Sequence, residues 1–436
     1  MIRYAILFVA LFTLPLKAEV PIQEVTSPGG LKAWLVEEHS IPFVALEIRF
    51  RGGAVLDEPG KEGATNLMAG LLEEGAADMD SRAFAEAKEE VATSIGFDIY
   101  DDMITVSTRY LTENADRSLD LLRAALIEPT FDQPSIDRVR GQVLASLNSR
   151  RTDPDAIAGD AMSSAAYGDH PYGRHIGGTV DSVTGLTRDD IVTAFRNAIA
   201  KDRAYIAAVG DITAEELGAV MDRVLGDMPA EGAPFPDAVP FGADPGVSVT
   251  PFDTPQSVAR FGQPGMSIDD PDFFAAFILN TIMGGSGFES RLMQEVREKR
   301  GLTYGIGTYL IDSDYSEAYM GSFSSQNGRM AEAVAVVQDE WRKMAEDGVT
   351  QEELDAAKLY LTGSYPLRFD GNSNIANILA SMQMDGYSID YPATRNDKIE
   401  AVTLEEANRV AGEFFQPENL RFVVVGQPEG LEPTVN

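Results

Sequence analysis

The chain carries one pattern of punctuation twice. Asp181, Thr187 and Gly210 recur as Asp397, Thr403 and Gly426, each pair 216 positions apart, and Ile136-Asp137 recurs as Leu354-Asp355 at an offset of 218. In both copies a helix-like stretch leads into an apolar run that ends on glycine, AYIAAVG at 204–210 and LRFVVVG at 420–426. Solenoid repeats recur every ~20–50 residues, so one long constant offset marks a duplicated domain. A chain of 436 residues has ample length for two such units, each with its own core. Between them, GDMPAEGAPFPDAVPFGADPG has five prolines and no periodicity, which marks a linker. The expected organisation is a leader at 1–18, a first unit at 19–226, a linker at 227–246 and a second unit at 247–436.

Each unit mixes strands and helices. In the first, residues 32–37 and 44–51 alternate like strands, and 65–74 and 82–95 have helical spacing. Residues 97–100 and 103–110 read as a hairpin about Asp101-Asp102. Helical patterns follow at 116–127, 136–151, 156–167 and 189–200, before a strand at 204–209. The second unit repeats the plan: a strand at 258–263, helices at 273–283 and 290–300, strands at 304–310 and 318–324, then further helices. Locally paired strands with long helices grouped after them predict an α+β fold: two duplicated domains, each a mainly antiparallel sheet with helices packed on one face.

Composition narrows the function. Lys and Arg number 35 against 69 Asp and Glu, a net charge of −34. Such a surface repels phosphate backbones and anionic lipid, so nucleic acid is an unsuitable partner. With no cysteine there is neither a disulfide nor a thiolate site. At the N-terminus, Arg3, an apolar run from Ala5 to Leu16 and Leu16-Lys17-Ala18 have the layout of a cleavable export signal. The run is too short to span a bilayer, which takes about 20 residues, so no stable membrane insertion is expected. A periplasmic or secreted protein is the expectation.

Three stretches carry a family likeness. EIRFRGGAVLDEPGKEGATNLMAGLLEEGA at 47–76 resembles the opening of pitrilysin (insulinase) type zinc peptidases. GGSGFESRLMQEVREKRGLTYGIGTY at 284–309 resembles their second-domain signature, and the strand ending in glycine closes each half as theirs do. Catalytic members carry His-x-x-Glu-His on the first helix: two imidazoles one turn apart bind zinc, and the glutamate takes a proton from the zinc-bound water. At those places this chain has Asn66, Ala69 and Gly70. The family's third ligand, a glutamate roughly 76 residues further on, corresponds to Ser146. An amide, a methyl, a hydrogen and a hydroxyl cannot generate a metal hydroxide. No metal or cofactor is therefore expected in this chain, and the three histidines, His39, His170 and His175, read as ordinary loop residues.

What the resemblance retains is Arg297 and Tyr304, an arginine near a helix end and a tyrosine seven residues later. Gly301 is a candidate helix cap between them, and Tyr304 is expected to open the next strand. In the family these side chains donate hydrogen bonds to the substrate backbone and the developing oxyanion. The loop Gly284-Gly285-Ser286-Gly287 resembles a weaker feature: in the non-catalytic subunit of mitochondrial processing peptidase a glycine-rich loop at a similar place contacts substrate. A tight turn ahead of a helix explains Gly284, Gly285 and Gly287 equally well. Trp34 and Phe273-Phe274 read as core, and Glu73-Glu74 and Glu89-Glu90 as solvated helix faces.

The resemblance implies a division of labour. Family members enclose peptide in chambers of four such domains, and this chain supplies two. It is expected to be a non-catalytic, substrate-binding subunit whose zinc-bearing pitrilysin-type partner cuts, with the zinc held in that partner. The alternative is a structural pseudopeptidase with no part in turnover.

Overall fold

The computed structural model describes residues 21–285 and 289–435. The leader and Gly287 lie outside the described residues. The first half runs β1 (Gln23–Thr26), β2 (Lys32–Glu37), β3 (Phe43–Arg51), α1 (Ala64–Leu71), β4 (Gly75–Ala76), β5 (Met79–Asp80), α2 (Ser81–Glu90), β6 (Ser94–Ile99) and β7 (Met103–Leu111). There follow α3 (Ala115–Ile127), α4 (Gln133–Arg150), α5 (Pro154–Tyr167), α6 (Val180–Gly185), α7 (Arg188–Ala198), β8 (Ala204–Gly210) and α8 (Ala214–Leu225). The second half runs β9 (Gly246–Pro251), β10 (Gln256–Pro264), α9 (Phe273–Asn280), β11 (Ile306–Ser313), β12 (Ser316–Gln326), α10 (Met330–Asp347) and α11 (Gln351–Ser364). It closes with α12 (Asn372–Met384), α13 (Tyr391–Ala401), α14 (Leu404–Phe414) and β13 (Arg421–Gly426).

Eleven of the strands form one sheet per half, ordered β1-β2-β8-β3-β7-β6 and β11-β12-β10-β13-β9, while β4 and β5 pair with each other as a separate antiparallel ribbon. Only β2–β8 and β9–β13 pair in parallel; the other pairs within these sheets are antiparallel. The fold is α+β, with two like domains. The duplication survives in atomic detail. Gln133 Nε2 donates to Asp137 and Gln351 Nε2 to Asp355, both at 2.7 Å, and Thr187 and Thr403 cap α7 and α14. The strand-ending glycines have a steric cause. Gly210 and Gly426 adopt φ of 141° and 150°, where a Cβ would stand 2.9 Å from the Val44 Cα and 2.7 Å from the Ser257 Cα of the adjacent strands.

Each sheet buries one face under its own half's helices. Leu46, Ile48 and Phe50 meet Leu67 and Met68 in the first half, and Phe261 and Phe422 meet Trp341 in the second. The opposite faces are covered by exchange. Helix α12 lies on the first sheet, packing Leu379, Ala380 and Met382 against Trp34, Ala45 and Val209. Helix α5 lies on the second, packing Ala158, Met162 and Ala166 against Val258, Val423 and Val425. Arg260 of β10 donates to Asp155 of α5 at 2.5 Å, and Arg49 of β3 donates to Asn377 of α12 at 2.7 Å.

Several expectations need correction. The helix expected over 82–95 ends at Glu90, and Ile95 already lies in β6. The helix expected over 273–283 is α-helical to Asn280 and then widens to π-helical geometry over Thr281–Gly285. Glu73 and Glu74 are not a solvated face: Glu73 pairs with Lys88, and Glu74 with Arg138 and Ser81. The Arg138 guanidinium, with Ser81, holds the Glu74 carboxyl below its ordinary range. The proline-rich stretch is tied down on both sides, with Val239 N donating to Tyr315 O and Gly242 N to Ala166 O, each at 2.8 Å.

Candidate functional site

The start of α1 is built from residues with structural work. Asp57 accepts from Gly63 N at 2.7 Å, Thr65 N at 2.8 Å and Thr65 Oγ1 at 2.6 Å, and so satisfies donors at the helix N-terminus. Gly63 has φ of 90°, and a Cβ there would stand 2.5 Å from Gly177 O. The four positions that should carry zinc chemistry have no such duty. Asn66 is half-buried, Gly70 is exposed against α4, where a Cβ would meet Val139 at 3.1 Å, and Ser146 is exposed on α4 itself. Ala69 is buried at 2% exposure. Helix α1 packs on α4, and Asn66, Ala69, Gly70 and Ser146 place no zinc ligand or base on either. Among the described residues, no three His, Cys, Asp or Glu side chains are grouped to hold a metal ion.

The histidines have ordinary partners. His39 bonds Asp211 at 2.8 Å and Glu37 at 3.2 Å, and Asp211 first among them raises its pKa. His170 accepts from Tyr172 N at 3.2 Å, and His175 accepts from Gly177 N at 3.0 Å.

In the second half, the chain over Met293–Glu298 is π-helical, with Lys299 N donating to Gln294 O at 2.9 Å in an i→i+5 bond. Val296, fully buried, anchors this turn, and Arg297 beside it emerges half-exposed and ion-paired with Glu298. Gly301, at φ of 58°, closes the helix with Gly301 N donating to Arg297 O at 2.8 Å. Buried Leu302 pins the exit. Thr303 Oγ1 then donates to Gly305 O at 2.8 Å and accepts from Gly305 N at 3.1 Å, pinching a turn with Tyr304 at its tip. Tyr304 is 87% exposed. It does not open the strand, as the sequence had suggested; β11 begins at Ile306.

The glycines divide by burial. Gly284 is buried, and a Cβ would stand 2.5 Å from Thr308 Oγ1 and 2.8 Å from Thr308 N, so close approach to β11 already accounts for it. Gly285 is exposed. Sequence reasoning missed one surface feature nearby. On α11 the buried stripe is Leu354, Ala357 and Leu361, yet Leu359 (74% exposed) and Tyr360 (53%) lie off it, and Leu367 follows at 79%. Their position off the helical stripe was the available signal.

With this geometry, comparison with known proteins is informative. Residues 32–180 match the insulinase (peptidase family M16) model, and residues 185–361 match the peptidase M16 inactive domain model. The border between the two models precedes β8, which nevertheless lies in the first sheet. A non-peptidase homologue, YmxG, of Helicobacter pylori is 26% identical over 89% of this chain and 90% of that protein. An uncharacterised zinc protease, also YmxG, of Bacillus subtilis is 24% identical over 90% of this chain and 96% of that protein. The crystal structure of a peptidase M16 inactive domain from Pseudomonas fluorescens superposes with a TM-score of 0.87 at 27% identity, covering 94% of this chain and 99% of that one. A protease structure from Helicobacter pylori superposes with a TM-score of 0.83 at 17% identity, covering 93% of this chain and 99% of that one, which is a likeness of fold alone. The chain belongs to the M16 (insulinase) peptidase family, as an inactive member with no group of metal-holding side chains among its described residues.

Proposed function

We propose that this chain is the non-catalytic, substrate-binding subunit of an exported two-subunit zinc peptidase. A zinc-bearing M16 partner of similar size cuts; this chain closes the peptide chamber and lends Arg297 and Tyr304 to the partner's transition state. One contrast carries the reading: the first domain has Asn66, Ala69, Gly70 and Ser146 where the resemblance puts zinc chemistry, while the second presents the Tyr304 phenol at 87% exposure on a pinched turn, with Arg297 half-exposed at the end of the preceding helix. A phenol that packs nothing is available to a second molecule. Donors of this kind stabilise developing charge on a carbonyl oxygen. Gly285, which is exposed, would offer backbone to an extended peptide.

The test is reconstitution with a zinc-bearing M16 relative. Arg297→Ala should lower kcat of the pair by about 10²-fold, and Tyr304→Phe by about 10-fold, with association unchanged. Unaltered peptide hydrolysis in both variants sinks the trans-site role. The isolated chain, stripped of metal and reloaded, should retain no stoichiometric zinc.

A scaffolding role is the second reading, favoured by the exposed Leu359, Tyr360 and Leu367. It predicts association that depends on these apolar residues and turnover indifferent to Arg297 and Tyr304.

A further inference from the structure

The second half contains a cavity of about 500 Å³, open on one side and lined by α9, the turn Tyr365–Arg368, α12 and α13. That volume lies within the range of small-ligand sites, about 300–1,000 Å³. Its walls are aromatic: Phe274 and Phe277 from α9, Tyr365 from the turn, and Tyr387 and Tyr391 from the segment leading into α13, with their rings 4.0 Å apart. Into this apolar space comes a charge. Arg395 also lines the cavity, is 6% exposed, and lies 4.2 Å from the Tyr365 ring and 5.6 Å from that of Phe277.

A buried guanidinium ordinarily has a carboxylate partner, because desolvating an unpaired charge is costly. Arg395 has none among the described residues. It donates to Leu361 O and the Asn396 amide oxygen, both at 3.1 Å, and bonds Tyr391. Burial pushes its pKa down; Tyr391 and Tyr365 offset that, and neighbouring Arg368 adds to it. Arg368 lines the same cavity at its exposed edge, and Lys398 sits 5.4 Å from the Phe274 ring. Neither makes an ion pair with a described carboxylate. Three cations thus cluster around one aromatic cavity in a protein whose net charge is −34. One carboxylate, Asp385, borders the cavity; burial pushes its pKa up to about 6, with Asp314 adding to the rise and Arg49 and Arg51 only partly offsetting it.

We propose that this cavity binds a small apolar carboxylate, with its body between the aromatic walls and its single negative charge set against Arg395, Arg368 standing at the rim. Asp385 disfavours a second negative charge on the ligand, so monoanions are preferred to dianions. The shared chemistry, an apolar group ending in a carboxylate, can come from a free aliphatic or aryl acid or from the last residue of a peptide. The site stands apart from Arg297 and Tyr304, and its existence does not depend on the proposed role in proteolysis. Met382 lines the cavity and also packs on the first sheet, so occupancy should stiffen the contact between halves.

Calorimetric titration of the purified protein tests this, using octanoate and 4-phenylbutyrate against their primary amides. A peptide ending in Phe, with a free or an amidated terminus, provides the second arm. An acid should bind with Kd of roughly 10⁻⁴ M, at least about 10-fold tighter than its amide. Binding by the free acids identifies a small-molecule source; binding confined to the free-terminus peptide identifies a chain end; both uphold the site. Arg395→Gln should erase the preference for acid over amide. If that variant does not fold, Phe274→Ala should weaken acid and amide alike, while Arg368→Gln weakens only the acid. Equal affinity for acid and amide in the parent protein, or no binding by any acid or peptide, overturns the proposal.

Discussion

Asn66 and Ser146 share a property that separates them from their neighbours: among the described residues neither side chain makes a hydrogen bond, and neither is in the core. Asp57 caps α1 and Gly63 lets α1 approach Gly177, so the frame of α1 is held by residues other than these. Glu47 is the opposite case, an ionisable side chain retained in the interior. It sits at 5% exposure on the face of β3 that α12 covers, accepting from Ser107 Oγ at 2.8 Å. Burial, only partly offset by Ser107 and Arg49, pushes its pKa up to about 7 from an ordinary value of 4.5. Between those two values the folded state binds more protons than the unfolded chain, so stability declines as pH rises from 5 to 8. Glu47→Gln keeps the acceptor and removes the charge. It should raise the unfolding free energy at pH 8 by about 2 kcal/mol and leave it nearly unchanged at pH 5. Urea melts at both pH values measure this, and an equal effect at each would refute the assignment.

At the scale of elements, the sequence was legible wherever a local device marks an end. The glycine-closed strands and the hairpin at Asp101-Asp102 stand where the pattern put them, and Thr187 and Thr403, which recur at the constant offset, prove to be helix caps. The end of α2 was not legible, because its stop is a Schellman closure without a glycine. Ala92 takes φ of 52°, with Ala92 N donating to Glu89 O at 3.1 Å and Thr93 N to Lys88 O at 3.0 Å. Ala92 is exposed and its left-handed backbone is strained. Ala92→Gly should therefore stabilise the protein by about 1 kcal/mol, readable as a rise in Tm, whereas a fall would show that the closure is not strained. The Tyr304 turn escaped notice for a related reason: Thr303 and Gly305 bond each other across it, and strand alternation alone cannot reveal that. The helix exchange was invisible in principle. Ala158, Met162 and Ala166 form an ordinary apolar stripe, and a stripe does not state which sheet it will meet.

For the whole molecule, the exchange decides how it comes apart. Each sheet depends on a helix from the other half to cover one face, so neither half can shed its partner without exposing a sheet. Polar contacts cross the same boundary. Arg51 of β3 pairs with Asp314 beyond β11, and Tyr172 Oη donates to Asp102 at 2.6 Å while Tyr315 N donates to Tyr172 Oη at 3.2 Å. The linker adds little independence, since Phe235 within it lies under Arg203 at 4.6 Å and Phe241 is buried beneath α5. Chains with two domains commonly unfold in two steps, but this architecture argues for one. The two tryptophans report the two sides separately: Trp34 lies between the first sheet and α12, and Trp341 lies in the core of the second half at 0% exposure. Single-tryptophan variants, Trp34→Phe and Trp341→Phe, followed by fluorescence in urea and each checked against circular dichroism, should give coincident transitions by the two probes. Removing the exchanged contact should then act on both probes at once: Leu379→Ala, at a fully buried position of α12, should cost about 2–5 kcal/mol and shift both transitions together. A shift seen by Trp34 alone would mean that the second half survives the loss of the first, and that α12 only rests on a sheet able to stand without it.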